Sequence, residues 1–292
     1  MARHLLDPLL ASGGGDIVTG LAIPMSVGTL AAFMDLPDED REQWVAWVRQ
    51  MYDPRDAAAA GAATDAYYGY IDDLVDAGRG AFVRMLLESE IDGQRLTPGE
   101  VARFMRVLLI AGHETTAATL GYSLHHLAQY RADLGRLRGE PELVPLAVEE
   151  FLRLSSPVTL QARNATCDVE LRGTTIRRGE VVALGFACAN RDEEAFPNAE
   201  ECILDRTPNR HIAFGFGPHL CAGAHVARLE LQVVLEEVVA KVDTIALDPD
   251  RAPEWNSTGS VRSLMTLPVR ITARETRDNE SDEPVEITTV KE

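Results

Sequence analysis

One segment of the sequence concentrates glycine, proline and cysteine: Phe214-Gly215-Phe216-Gly217-Pro218-His219-Leu220-Cys221-Ala222-Gly223. Its glycines and proline predict a loop with unusual backbone angles. A helical pattern begins directly after the loop, so backbone N–H groups and the positive helix end can stabilise a thiolate at Cys221. A thiolate held in this way is a metal ligand or a nucleophile, and a buried cysteine in a turn is the alternative.

The composition of the 292-residue chain is that of a folded protein, with 46% hydrophobic and 25% charged residues. Its net charge, 28 − 46 = −18, repels phosphate and disfavours the coating of nucleic acid or of an anionic membrane. No apolar run reaches the roughly 18 residues that span a bilayer, and the N-terminus lacks the apolar core of a signal peptide. We therefore expect a cytoplasmic protein with no nucleic-acid partner and no membrane contact.

The first 130 residues show one helical pattern after another. The clearest helix start lies at Thr97, which can cap, with Pro98 at the first helical position and Glu100 completing a capping box. This helix is expected to run for about 32 residues, roughly 48 Å. Its apolar segment 107–111 is expected to be buried. A turn over residues 35–40 leads into a helical pattern that includes residues 44–51. Further helical patterns cover residues 57–80, 144–154 and the segment after Cys221 to about residue 242.

After Pro157 the pattern changes to short strand-like runs separated by turns. These runs cover residues 158–162, 169–171, 174–176, 181–186 and 264–272. Acidic and polar residues dominate from Arg274 onward. We predict a mainly α, helix-rich α+β fold with small β-sheets, formed by one domain over residues 1–273 and followed by an acidic, disordered tail over residues 274–292.

The glycine-rich segment has the form F-x-x-G-x-x-x-C-x-G, which resembles the haem-ligating signature of the cytochrome P450 superfamily. Residues 111–115, Ala-Gly-His-Glu-Thr, resemble the A/G-G-x-D/E-T motif of that family's long distal helix. Glu150 and Arg153 resemble its E-x-x-R pair, and Arg206 resembles the arginine that completes a Glu-Arg-Arg triad. The matches occur in family order and extend the resemblance over about residues 5–273, with the soluble bacterial members most similar.

The resemblance implies a role for each matching residue. Cys221 would bind the iron of haem b, and Thr115 with Glu114 would deliver protons to oxygen. Glu150, Arg153 and Arg206 would form a buried structural network. Arg163, His211 and His219 match residues that bind the haem propionates. The residues expected to hold the cofactor are Ala111, Gly112, Arg163, His211, Phe214, Gly217, His219 and Gly223.

The motif in the long helix also has chemistry of its own. Glycine within a helix costs roughly 1 kcal/mol relative to alanine, and the approach of a flat macrocycle would explain Gly112. Thr115 can hold water at a ligand, or its hydroxyl can bond to the carbonyl four residues earlier. His113 and Glu114 begin a zinc-protease pattern, but that pattern needs a histidine where Ala117 stands, so it is excluded.

The resemblance implies a haem-thiolate monooxygenase that inserts one oxygen atom of O₂ into a small apolar substrate, with electrons from NAD(P)H delivered through a ferredoxin or flavodoxin. It also implies that the family's N-terminal portion is missing from this chain. One alternative is therefore a catalytically impaired paralogue that acts as a binding or interaction protein. Another is a cysteine hydrolase or thiol transferase that uses Cys221. Side chains near Leu108, residues 158–160 and Met265 indicate an apolar pocket.

Overall fold

The computed structural model describes residues 1–51, 55–256 and 261–275. Helices make up most of these residues, as predicted, and the strands form small antiparallel sheets. A π-helical turn, Val18–Ala22, leads into the second helix. Within the described ranges the helices are α1 (Ala2–Ala11), α2 (Ile23–Phe33), α3 (Arg41–Met51), α4 (Ala57–Asp76), α5 (Ala81–Glu88), α6 (Pro98–Gln129), α7 (Arg131–Gly139), α8 (Val144–Ser155), α9 (Phe186–Ala189) and α10 (Ala224–Lys241).

The long helix α6 begins at the predicted capping box. The Thr97 hydroxyl accepts a hydrogen bond from the Glu100 N–H at 3.3 Å, and the Glu100 carboxylate accepts one from the Thr97 N–H at 2.9 Å. These reciprocal bonds satisfy N–H groups that a helix start otherwise leaves without partners. The helix runs for 32 residues, as predicted.

The prediction that segment 107–111 of α6 is buried is wrong, because only part of the helix surface is buried there. Leu109 is 1% exposed, because it packs with Met105 in a core shared with α2 and α4. Val107, in contrast, is 67% exposed and Phe104 is 49% exposed. The elements packed against α6 cover one face and leave another face open within the described residues.

Two hydrophobic cores meet along α6 in the described part of the chain. Leu120 and Leu124 pack with buried residues of α1, α8, α10 and the C-terminal sheet. Val101 and Met105 pack with the other core, formed by α2 to α5. The helix therefore connects the two halves of the fold, and its central motif lies near their junction.

The strands are β1 (Gly14–Asp16), β2 (Glu90–Ile91), β3 (Gln94–Arg95), β4 (Gln161–Asn164), β5 (Val169–Leu171), β6 (Thr174–Ile176), β7 (Val181–Leu184), β8 (Val242–Leu247), β9 (Glu254–Asn256), β10 (Ser263–Thr266) and β11 (Pro268–Ala273). The sheet β1-β11-β8 joins the start of the described chain to its end. β1 approaches β11 so closely that a Cβ at Gly14 would lie 2.2 Å from the Val269 carbonyl oxygen. Only glycine fits at that position.

Most predicted elements are present with shifted ends. The helices α3, α4, α8 and α10 match their predicted ranges to within a few residues, and β5 and β6 match theirs. The predicted strand 264–272 is divided into β10, which pairs with β9, and β11, which pairs with β1 and β8. Between them, the Leu267 N–H donates to the Asp16 carboxylate at 3.0 Å, so the strand ladder is interrupted there.

None of the helices in the described ranges combines the length and the apolar character that crossing a membrane requires. Residues 276–292, which hold nearly all of the predicted tail, lie outside the described residues.

Candidate functional site

The segment 214–223 forms a closed loop in front of α10. The Cys221 N–H donates to the Phe214 carbonyl at 2.9 Å and so joins the two ends of the loop. Gly215 and Gly217 have left-handed φ angles of 74° and 65°, which residues with a Cβ disfavour. A Cβ at Gly215 would also lie 3.1 Å from a carbonyl oxygen across the loop. The glycines therefore determine the backbone path, and Cys221 is exposed just before α10 begins.

A charged cluster supports the first residue of this loop. The Arg228 guanidinium lies over the Phe214 ring, 4.5 Å from its centre. It also donates two hydrogen bonds to Glu149 of α8, at 2.6 and 2.9 Å. Burial alone would raise the pKa of Glu149, but hydrogen bonds from His211 and Arg228 outweigh burial and lower the pKa to about 2. The ionised Glu149 thus links α8 and α10 at the start of the loop.

His211, which is predicted at a haem propionate, belongs to this cluster. Its Nδ1 accepts a hydrogen bond from the Ala213 N–H at 3.2 Å, so Nε2 carries the proton and donates to Glu149 at 3.1 Å. Both ring nitrogens are engaged within the protein, and the side chain is only 3% exposed. The sequence did not identify Glu149 and Arg228 as residues of the site. The only indications in the sequence were that Glu149 lies beside Glu150 and that Arg228 lies in the helix after Cys221.

Arg163 and His219, the other residues predicted at the propionates, remain accessible. Arg163 is half-buried on β4, where its guanidinium donates to the Ala162 carbonyl at 2.8 Å. It forms no ion pair with another residue of the described ranges. His219 is exposed at the end of a one-turn 3₁₀ helix in the loop. Neither side chain is hydrogen-bonded to Cys221 among the described residues.

Thr115 lies on the open face of α6. Phe104, Val107, Ala111 and Thr115 follow one another at spacings of three and four residues and therefore share that face. The Thr115 hydroxyl donates to the Ala111 carbonyl at 2.9 Å, which is the alternative bond considered from the sequence. A hydroxyl that donates one hydrogen bond keeps lone pairs that can accept another. Thr115 can therefore still bind water.

Gly112 faces α2. A Cβ at Gly112 would lie 2.9 Å from a side-chain carbon of Leu30. A larger residue at this position would have to displace the end of the Leu30 side chain. Packing against Leu30 therefore gives one reason for a glycine at this position, and the approach of a macrocycle stays a prediction.

A cavity of about 220 Å³ lies beside Glu114. It is bounded by α6, by the chain around the start of α2 and by β9 and β10. Of the residues expected near a pocket, Met265 lines this cavity, whereas Leu108 and residues 158–160 are not among the described residues of its lining. Glu254 and His113 add polar groups to the lining. Burial lowers the pKa of His113 to about 4 despite a contact of 2.6 Å with the Leu109 carbonyl, so its ring is neutral at neutral pH.

Glu150 lies between Arg153 and Arg206 in a buried network. Arg153 donates two hydrogen bonds of 2.8 Å to the carboxylate, and Arg206 Nε lies 3.1 Å from both of its oxygens. Burial alone would raise the pKa of Glu150, but hydrogen bonds from Arg153 and the Ile203 N–H lower it. Both arginines also donate to backbone carbonyls, including that of Glu201, and so hold the segment after α9 against α8.

The cytochrome P450 family model matches residues 71–271 of this chain. The polyketide biosynthesis cytochrome P450 PksS of Bacillus subtilis (strain 168) is 33% identical over 280 residues, which are 93% of this chain and 69% of PksS. The cytochrome P450 monooxygenase PikC of Streptomyces venezuelae is 33% identical over 275 residues, which are 91% of this chain and 66% of PikC.

Solved structures show the same fold. The structure of PksS from Bacillus subtilis matches with a TM-score of 0.83 at 33% identity, over 93% of this chain and 72% of that chain. P450BioI, in complex with an acyl carrier protein ligated to hexadec-9Z-enoic acid, matches with a TM-score of 0.83 at 32% identity, over 92% of this chain and 72% of that chain. The chain therefore belongs to the cytochrome P450 family. It is a monooxygenase of the oxidoreductase class, and its cofactor is haem b.

Proposed function

We propose that this protein inserts one oxygen atom of O₂ into a small apolar substrate, with Cys221 as the thiolate ligand of the haem iron. The observation that carries the proposal is an exposed Cys221 at the end of a loop whose glycines determine its path. Phe216 and Leu220 in that loop are 84% and 61% exposed. A thiol donor beside uncovered apolar side chains fits a flat, largely apolar macrocycle with iron at its centre.

The accessible polar residues of the site suit the propionate groups of the haem. Arg163 and His219 would bind the propionates, because a guanidinium and an imidazole N–H both donate to carboxylates. Ala111, on the open face of α6, would leave room for the macrocycle. The loop residues that would surround it are Phe214, Gly217 and Gly223. When bound, the haem supplies O₂ binding and O–O bond cleavage, which electron density from the thiolate favours.

Glu114 and Thr115 would supply the protons that the reduction of O₂ consumes. The cavity of about 220 Å³ beside Glu114 is large enough for several waters, since each takes about 30 Å³ in the liquid. Glu114 can exchange protons with that water, and the lone pairs of the Thr115 hydroxyl can hold a water on the open face of α6. The pair thus forms a route for protons through the middle of α6.

Two electrons per O₂ would come from NAD(P)H through a ferredoxin or flavodoxin. The names of the relatives favour an apolar substrate: one is a polyketide biosynthesis enzyme, and another, a steroid C26-monooxygenase of Mycolicibacterium smegmatis, is 31% identical. The alternative of a non-catalytic binding protein finds no support among these relatives. An adjacent acid and hydroxyl on α6 also favour catalysis, because a binding protein has no need of a proton route.

The test of this function is the carbon monoxide difference spectrum of the reduced protein. We expect the wild-type chain to show the spectrum of a thiolate-ligated haem and Cys221→Ser to lose it, because serine offers no thiolate. Cys167→Ser and Cys188→Ser, which change exposed cysteines outside the loop, are the matched controls. A thiolate spectrum that persists in Cys221→Ser would contradict the assignment, as would a wild-type chain that binds no haem.

A further inference from the structure

Three side chains with metal-binding donor atoms meet where the end of α6, the start of α7 and the segment after α9 come together. They are His126, Asp133 and Cys202, and their donor atoms all lie within 4.8 Å of one another. None of them belongs to the Cys221 loop or to the open face of α6. From this cluster we infer a second metal site, which binds a zinc ion.

The junction between α6 and α7 brings the first two ligands together. His126 Nε2 lies 2.6 Å from Asp133 Oδ2 across that junction. The His126 ring stacks on Tyr130 with 4.5 Å between ring centres, and its centre lies 5.5 Å from that of Phe151. His126 is only 8% exposed. Packing on two sides therefore fixes the ring with Nε2 directed at the cluster.

The third ligand, Cys202, lies in a segment whose backbone is held on both sides. The Glu201 carbonyl accepts a hydrogen bond from Arg153 at 3.0 Å, and the Ile203 N–H donates to Glu150 at 2.9 Å. Cys202 itself is half-buried against the core. The thiol is thus placed by the Glu150 network, although it takes no part in that network's hydrogen bonds.

These donors suit zinc better than other common cations. An imidazole nitrogen, a carboxylate oxygen and a thiolate sulfur are the ligand types of zinc, at about 2.0–2.3 Å from the ion. Magnesium and calcium take oxygen ligands, so a histidine and a cysteine disfavour them. Two ligands of a tetrahedral zinc lie roughly 3.5 Å apart. The observed separations run from 2.6 Å to at most 4.8 Å, so small side-chain rotations bring the three donors to one ion.

The charges around the cluster allow a cation. Burial raises the pKa of Cys202 to about 12, the negative charges of Glu150 and Asp133 add to this effect, and Arg153 and Arg206 oppose it, so the thiol loses its proton only as a cation binds. Zinc binding replaces the His126–Asp133 hydrogen bond and displaces the thiol proton of Cys202 to solvent. The ion would connect two consecutive helices to the segment that carries Arg206.

Zinc titration of the full 292-residue protein tests this inference. After removal of adventitious metal with a chelator, calorimetry should show one Zn²⁺ bound with high affinity and a higher melting temperature in its presence. Cys202→Ser and Asp133→Asn should each weaken that affinity by at least about 100-fold, since even partners outside the ligand shell contribute 10–100-fold. Cys167→Ser, which changes an exposed thiol elsewhere, should bind as the wild type does.

Asp133→Asn preserves the size of the side chain and carries the test if Cys202→Ser fails to fold. Zinc bound with equal affinity by the wild type and by Asp133→Asn would overturn the inference, because the ion would then lie elsewhere. A wild-type chain without a stoichiometric, high-affinity zinc site would overturn it as well. Neither result bears on Cys221, whose test is the haem spectrum.

Discussion

Three threonines of α6 make the same hydrogen bond and differ in their surroundings. Thr115, Thr116 and Thr119 each donate to the carbonyl four residues earlier, at 2.9, 3.1 and 3.0 Å. Thr116 and Thr119 are 6% and 1% exposed, whereas Thr115 is half-buried on the open face of the helix. Only a hydroxyl with space beside it can also accept a hydrogen bond from water. Exposure, and not the bond to the helix, distinguishes Thr115 as the candidate for proton transfer.

Thr115→Ala should leave haem binding and folding nearly unchanged while diverting electrons to hydrogen peroxide. A water held by the Thr115 hydroxyl would lose that partner in this variant, so protons would reach the bound oxygen less selectively. The measurement is the peroxide formed per NAD(P)H oxidised, with a ferredoxin and its reductase as electron source. Thr116→Ala, which removes the same helix bond at a buried position, is the control. A peroxide yield equal to that of the wild type in Thr115→Ala would show that the hydroxyl has no such role.

At the scale of one element, α6 depends on both local and distant contacts. Its start is held by the reciprocal bonds between Thr97 and Glu100, which lie three residues apart. Its centre is held by close packing against α2 at Gly112, and its apolar residues join both cores. The capping box therefore stabilises one end of a helix whose remainder is stabilised by tertiary contacts.

Replacing Thr97 by alanine should lower the free energy of unfolding by about 1 kcal/mol, the usual cost of losing an N-cap. The loss stays small because burial of the helix centre is unaffected. Urea unfolding followed by circular dichroism measures the change. Thr97→Ser keeps a hydroxyl at the cap and should retain most of the stability. A Thr97→Ala protein as stable as the wild type would mean that tertiary contacts alone determine where α6 begins.

At the scale of the whole molecule, Glu230 places an acid between α10 and α2. Its carboxylate accepts a hydrogen bond of 2.8 Å from the Ser26 hydroxyl, and Glu230 is 5% exposed. Burial raises the pKa of Glu230 from 4.5 to about 7, and hydrogen bonds from Ser26 and Thr29 only partly offset this. The folded protein therefore binds the proton of the Glu230 carboxyl group more tightly than the unfolded chain does. Between these two pKa values the free energy of unfolding falls as the pH rises.

Glu230→Gln should remove this pH dependence. At about pH 5 the variant and the wild type should differ little, and at about pH 8 the variant should be more stable by up to roughly 3 kcal/mol, since one pKa unit corresponds to about 1.4 kcal/mol. Urea unfolding at both pH values makes the comparison. Glu236→Gln, an exposed position on the same helix, is the control. A difference between variant and wild type that is the same at both pH values would refute the prediction.

Features that neighbouring residues determine were predictable from the sequence. The start of α6 follows from two residues that bond to each other within one helical turn. The loop before α10 follows from Gly215 and Gly217, because only glycine adopts their backbone angles without strain. The same local pattern carries the resemblance to cytochromes P450, and with it the prediction of the haem cofactor. The assignment of Cys221 as the iron ligand stays a prediction from that pattern.

Contacts between distant residues were decided by the tertiary structure alone. His211 forms a hydrogen bond with Glu149, which lies 62 residues earlier, and no local pattern in the sequence predicts this contact. The Asp16 carboxylate accepts a hydrogen bond from the Leu267 N–H and divides a pattern that predicts one strand. The Leu30 side chain packs against α6 at Gly112. Local sequence determines which backbone angles and hydrogen bonds are available to a segment. Packing determines which distant side chain reaches it, because that depends on how whole helices and strands come together.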